Sequence, residues 1–348
     1  MTRSRARRRP ARALTGAGQR ATVAAVGAVA IIAAALTGCS QAGPAAAAGG
    51  TAPASTSRTT PGPPAVSMSQ LINPPAGKYF GVEADGPPGS LAPVRAFASL
   101  AGRPPDLIGQ YVAWGSPFSA QAARSAWSYG ALYYMAWEPF TTSVAAIADG
   151  AVNGYITRFA DAVKAAGVPV ALSFGHEFNG NWYPWGTVGT SPASFVTAWR
   201  LIHALFAAAG ATNVIWVWNP NVISAGNVPL RSYYPGDSYV DWVGLTGYFP
   251  ASGPTTFDQL FGPTMTEIRQ FTARPFIVVE TAVQSGPCQV SCVKSLVRGV
   301  QRHRDVLGFV WFEFDKAGIN WSLQSRPSVR AALAAALARF KIAAVIRA

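Results

Sequence analysis

VALSFGHEFNGNWYPWG, residues 170–186, is an apolar run that stops at a carboxylate, Glu177, set among amides and large aromatic side chains. Such a run reads as a parallel strand buried on both faces. The C-terminal end of such a strand is where α/β barrels and doubly wound sheets place their chemistry. FIVVET, residues 276–281, repeats the pattern with Glu280, 103 positions further on (280 − 177). Two acids at equivalent ends of two strands can act as general acid and nucleophile in the cleavage of a glycosidic bond.

Working outward from these two runs, the chain shows eight strand-like segments: 79–83, 107–114, 131–137, 168–174, 213–218, 240–248, 276–279 and 307–312. Most are almost continuously apolar, and helical patterns lie between them. The clearest helix is 191–209, with Ser191 as N-cap, Pro192 at the first helical position and Gly210 as the stop. Eight alternations in one domain predict an α/β fold, a closed (β/α)8 TIM barrel, over an open sheet. On that count Glu177 ends the fourth strand and Glu280 the seventh.

The stretch HEFNGNWYPW, 176–185, resembles the signature of glycoside hydrolase family 26, and an acid after strand 4 with a second after strand 7 is similar to its clan of retaining glycosidases. The resemblance covers about residues 77–335. It implies a retaining endo-β-glycanase acting on a β-linked polysaccharide, with β-1,4-mannan first and β-1,3-xylan or mixed-linkage glucan as alternatives, and no cofactor. Carried over residue by residue, Glu177 is the acid/base and Glu280 the nucleophile. His176 orients the site, Tyr248 holds the nucleophile, and Asn179 binds local backbone or a sugar hydroxyl. Trp182 and Trp311 offer stacking faces, and Trp137, Glu138 and Trp185 join the candidate substrate contacts. Two positions depart from the family pattern. The third strand ends in Trp137–Glu138–Pro139 where family mannanases carry a histidine, and Thr246 stands where an aspartate often precedes the tyrosine.

Net charge is +13, from 28 Lys+Arg against 15 Asp+Glu, which would suit a polyanion partner if the charge were clustered on the domain. Seven of those basic residues, Arg3, Arg5, Arg7, Arg8, Arg9, Arg12 and Arg20, precede any acid, and an apolar run from Ala21 to Leu36 follows them. This is the order of an export signal, and the run is short for a membrane span. LTGC, 36–39, resembles a bacterial lipobox, which predicts a signal over 1–38 and lipidation of Cys39. Without the leader, 21 basic residues (28 − 7) face 15 acidic ones and the charge falls to +6, scattered rather than striped, so no nucleic-acid partner is expected.

Residues 39–73, rich in Ala, Gly, Pro, Ser and Thr, read as a disordered tether, and 74–340 as the barrel. Export permits a disulfide between Cys288 and Cys292, placed in the loop after the Glu280 strand. His176, His203 and His303 do not cluster, so no metal is expected. Together these features predict an extracytoplasmic monomer anchored to the membrane by lipid. The rival expectations are a surface lipoprotein that binds glycan without turnover, and an envelope transglycosylase. Two acids argue against the first, since a binding module needs neither.

Overall fold

The computed structural model describes residues 66–86, 89–224, 228–316 and 318–343; the predicted leader, Cys39 and most of the tether lie outside them. Eight parallel strands close into a barrel in sequence order: β1 (Tyr79–Ala84), β2 (Leu107–Ala113), β3 (Leu132–Glu138), β4 (Val170–Phe174), β5 (Val214–Trp218), β6 (Trp242–Thr246), β7 (Phe276–Thr281) and β8 (Val306–Glu313). Pairing of Tyr79 with Gly308 through Ala84 with Glu313 joins β1 to β8 and completes the ring. The predicted (β/α)8 barrel is therefore the observed fold, with each strand within about two residues of its expected bounds.

Alternation along the strands sorts the core into two shells. Tyr79, Leu107, Leu132, Tyr134, Ala171, Ile215, Val217, Trp242, Ile277 and Val310 form one cluster that fills the barrel. Phe80, Val82, Tyr133, Met135, Trp137, Leu172, Phe174, Trp218 and Trp311 belong to the other, between strands and helices. Among the helices that cover the strands, α6 (Pro192–Ala209) begins and ends as its sequence predicts. The Ser191 hydroxyl accepts from the Ser194 N–H, and Gly210 closes the helix at φ 71°.

The lower boundary of the domain needs correction. Residues 68–72 are not part of a tether but a five-residue helix, α1 (Met68–Ile72), opened by a capping box between Ser67 and Gln70. Leu71 is fully buried. Its carbonyl accepts from the Tyr79 hydroxyl at 2.7 Å, and the Ile72 carbonyl accepts from Trp242 Nε1 at 2.9 Å. Tyr79 and Trp242 open their strands, so α1 closes the N-terminal end of the barrel. The upper boundary also extends past 340, because Lys78 pairs with Ile342 and Ala343 is buried. Burying Leu71 is worth about 2 kcal/mol and each of the two hydrogen bonds about 1 kcal/mol. A chain starting at 74 should thus be about 3 to 4 kcal/mol less stable than one starting at 66, and equal urea midpoints for the two would refute the role given to α1.

Candidate active site

Beyond Phe174 the chain leaves β4 through Gly175 at φ 55° and reaches Glu177 at φ 52°. Glu177 is the only non-glycine residue with positive φ among the described residues. Left-handed backbone at a glutamate costs about 1 kcal/mol or more and persists only where its surroundings enforce it. Here the Glu177 N–H donates to the Asn219 carbonyl at 2.8 Å and the Gly180 N–H donates to the Glu177 carbonyl at 2.9 Å. The side chain is consequently turned inward, 7% exposed.

Both carboxylate oxygens of Glu177 accept a hydrogen bond. Asn221 Nδ2 donates to Oε1 at 2.5 Å and Trp182 Nε1 donates to Oε2 at 2.7 Å. Asn179 braces that arrangement, because its Nδ2 donates to the Asn221 carbonyl at 2.9 Å and its Oδ1 accepts from the Asn221 N–H at 2.8 Å. The asparagine thereby takes up the local-backbone alternative open in its sequence. Trp182 lies against Gly180, where a Cβ would stand 2.4 Å from the indole Cζ2, so only glycine fits under the ring.

Glu280 arrives from the opposite side. Ile277 and Val279 point into the barrel, and strict alternation would send Glu280 outward. The register of β7 against β8 shifts between Val278 and Thr281, and that irregularity re-aims the residue into the mouth. There the Tyr248 hydroxyl donates to its Oε1 and the Tyr111 hydroxyl donates to its Oε2 at 2.7 Å. Tyr111 also lies 3.2 Å from Oε2 of Glu83, a third carboxyl that is fully buried on β1.

Burial and the Glu280 charge push the Glu177 carboxyl up to about 8, against the donors Asn221 and Trp182. Burial also raises Glu280, but its two tyrosine donors and the Lys316 ammonium pull the other way. Glu138, half-buried at the end of β3, is raised to about 8 by burial, with Lys316 opposing. His176 is held neutral, its value lowered by burial and then by Lys316 to about 3. Its Nε2 lies 3.3 Å from the Tyr183 hydroxyl.

Three predicted contacts are corrected by their surroundings. Trp137 is fully buried between Trp114 and Phe159, each ring centroid 4.2 Å away, and faces the helices. Trp311 is likewise fully buried in the strand–helix shell. Trp185 stacks on Tyr183 at 4.3 Å and donates to the His176 carbonyl at 2.6 Å, so it supports the loop and offers no open face. The neighbour of the pair that sequence reasoning missed is Trp321. It follows β10 (Ile319–Asn320), which pairs with β9 (Asp315–Lys316), and its ring lies 4.7 Å from that of Tyr248. Glu83, Tyr111, Tyr183 and Asn221 were missed too. Cys288 and Cys292 are disulfide-bonded as expected, but Cys292 lies in α8 (Gln289–Arg302), so the bridge pins a helix start rather than a free loop.

A closed (β/α)8 barrel with two buried glutamates, each accepting two hydrogen bonds, at the C-terminal ends of β4 and β7 defines the carboxylate-pair class of barrel site. Residues 136–274 match the model of glycosyl hydrolase family 26. It is 30% identical over 282 residues to Endoglucanase H of Acetivibrio thermocellus, covering 77% of this chain and 31% of that protein. It is 32% identical over 120 residues to a mannan endo-1,4-beta-mannosidase of Bacillus subtilis, covering 31% of this chain and 32% of that one. The chain thus spans about a third of the length of these relatives. The structure of a GH26 beta-mannanase from Bacteroides ovatus superposes with a TM-score of 0.58 at 16% identity, over 79% of this chain and 94% of that one, a likeness of fold.

Proposed function

We propose that this chain is a retaining endo-β-glycanase that hydrolyses a β-1,4-linked polysaccharide, β-mannan first. The observation that carries the proposal is the contrast between the two glutamates. Burial and the Glu280 charge raise Glu177 to about 8 against its Asn221 and Trp182 donors, so it prefers its proton, whereas Glu280 is raised by burial and held down by Tyr248, Tyr111 and Lys316. In the first step Glu280 forms a bond to the anomeric carbon as the glycosidic C–O bond breaks, and Glu177 gives its proton to the leaving oxygen. In the second, Glu177 takes a proton from water, whose oxygen attacks the anomeric carbon and releases Glu280. Trp182, half-exposed beside the acid, is the stacking face this reading assigns, while Trp321 is buried against Tyr248 and backs that phenol. Neutral His176 supports the loop through Tyr183, and Glu138 stands ready for a sugar hydroxyl.

The mannan assignment draws on relatives named as mannan endo-1,4-beta-mannosidases, which match about 100 to 120 residues each. One observation favours a glucan instead: the relative matched over 77% of this chain is named an endoglucanase. Reducing-sugar release by residues 66–348 on β-mannan, galactomannan, mixed-linkage glucan, β-1,3-xylan and cellulose decides between them. Release from mannan that Glu280→Ala abolishes is the expected result, and release from glucan alone would replace the substrate. Silence on every polymer from folded protein would overturn the hydrolase. The lipid anchor on Cys39 and the monomeric state belong to the same proposal, and Cys39→Ser should lose membrane partitioning.

A further inference from the structure

The third buried carboxyl, Glu83, has no place in the two-step scheme. Its side chain lies across bare backbone on β2, where a Cβ on Gly109 would meet Glu83 Cγ at 2.3 Å and Oε1 at 2.9 Å. The residue is fully buried, and Oε1 has no hydrogen-bond partner among the described residues. Oε2 lies 3.2 Å from the Tyr111 hydroxyl, which lies 2.7 Å from Glu280 Oε2.

A phenol has one proton and cannot donate to both carboxyls at once. The shorter distance assigns that proton to Glu280, so the contact with Glu83 is satisfied only if Glu83 carries a proton and donates it to the phenol oxygen. An ionised Glu83 would leave a bare, fully buried carboxylate oxygen and a repulsive contact with the phenol lone pair. The groups that face it pull in both directions, with burial the largest influence. Glu280 on β7 and Glu138 on β3 disfavour its charge along with burial, and Lys316 on β9 and the Tyr111 contact are the opposing influences. Tyr134 on β3 and Tyr248 after β6 also sense a Glu83 charge, and each is itself raised by burial.

We propose that Glu83 is a positioning residue, a neutral carboxylic acid whose O–H polarises Tyr111 so that Tyr111 donates more strongly to Glu280 and holds it as an anion. No proton changes owner in this chain. When Glu280 becomes an ester, Tyr111 donates to the ester carbonyl and Glu83 keeps its proton. The inference rests on the nucleophile role proposed for Glu280.

The test compares Glu83→Gln, which keeps a neutral donor, with Glu83→Met, which keeps the length but donates nothing. The readout is the pH profile of kcat/KM on the hydrolysed glycan, whose acid limb reports ionisation of the nucleophile. Glu83→Gln should stay within about threefold of the parent with its acid limb unmoved. Glu83→Met should lose about tenfold on the acid side as the limb moves up by about one pH unit. Equal damage in both variants, or none in Glu83→Met, would overturn the proposal. Carbon-13 NMR of protein labelled at glutamate Cδ tests it without turnover or variant stability: a Glu83 carboxyl protonated at pH 7 is required, and an ionised one refutes it. Should no glycan be hydrolysed, that spectrum still separates failure of this inference from failure of the hydrolase assignment.

Discussion

Glu280→Ala should lower turnover of the hydrolysed glycan by roughly 10⁵-fold, because it deletes the atom that forms the covalent bond and nothing else in the mouth can replace it. The nearest carboxyls are Glu83, fully buried with no open approach, and Glu177, turned to its own donors. Folding should survive. The substitution leaves the Tyr248 and Tyr111 hydroxyls without their acceptor, but it also removes a buried charge that raises Glu83 and Glu177. Thermal unfolding and a residual-rate assay together check this, and residual turnover above about 1% in a folded variant would remove Glu280 from the nucleophile role.

The second large effect concerns Glu177. Glu177→Ala should cost about 10³-fold on polysaccharide, where the leaving oxygen needs a proton, and much less in the glycosylation step of an aryl glycoside with an acidic leaving group. Azide should then restore turnover of the aryl substrate as a glycosyl azide of retained configuration, since it attacks the covalent intermediate without a base. Full activity without azide would exclude the acid/base role.

In the parent, the alkaline limb of kcat should fall near pH 8, where Glu177 loses its proton. Asn221 lowers that value by its hydrogen bond, so Asn221→Ala should move the limb upward. Stability follows the same sign. The folded value of Glu177 is raised from 4.5 to about 8, so its contribution is fully present below about pH 4.5 and is lost as pH rises to about 8. Glu177→Gln removes this loss, and its stability relative to the parent should grow over that window by about 4 kcal/mol. Urea midpoints at pH 4.5 and 8 measure the difference.

Much of this molecule was legible in the chain. Strands covered on both faces announce themselves as apolar runs, and Glu177 and Glu280 stand out because each ends one. Strand parity carries more. Glu83 shares its face with Tyr79 and Gly81, and Trp137 and Trp311 fall on the faces that turn to the helices, which marks the first as interior and the other two as packing. The capping pattern Ser67–Gln70 likewise marks a helix start in a polar stretch. Other features carry no local signal. The turn of Glu280 into the mouth depends on a register shift between β7 and β8. Asn221 meets Glu177, and Trp321 meets Tyr248, only when distant loops converge over the barrel.

The short helix α1 gives the domain a polarity. The described residues begin beneath the barrel, at the end opposite the glutamate mouth. Whatever holds residues before 66 therefore grips the molecule by its base. The stretch from Cys39 to Val66 comprises about 27 residues and can reach no further than about 95 Å when fully drawn out. A lipid on Cys39, as proposed above, would hold the domain by that base, within a radius set by covalent length alone.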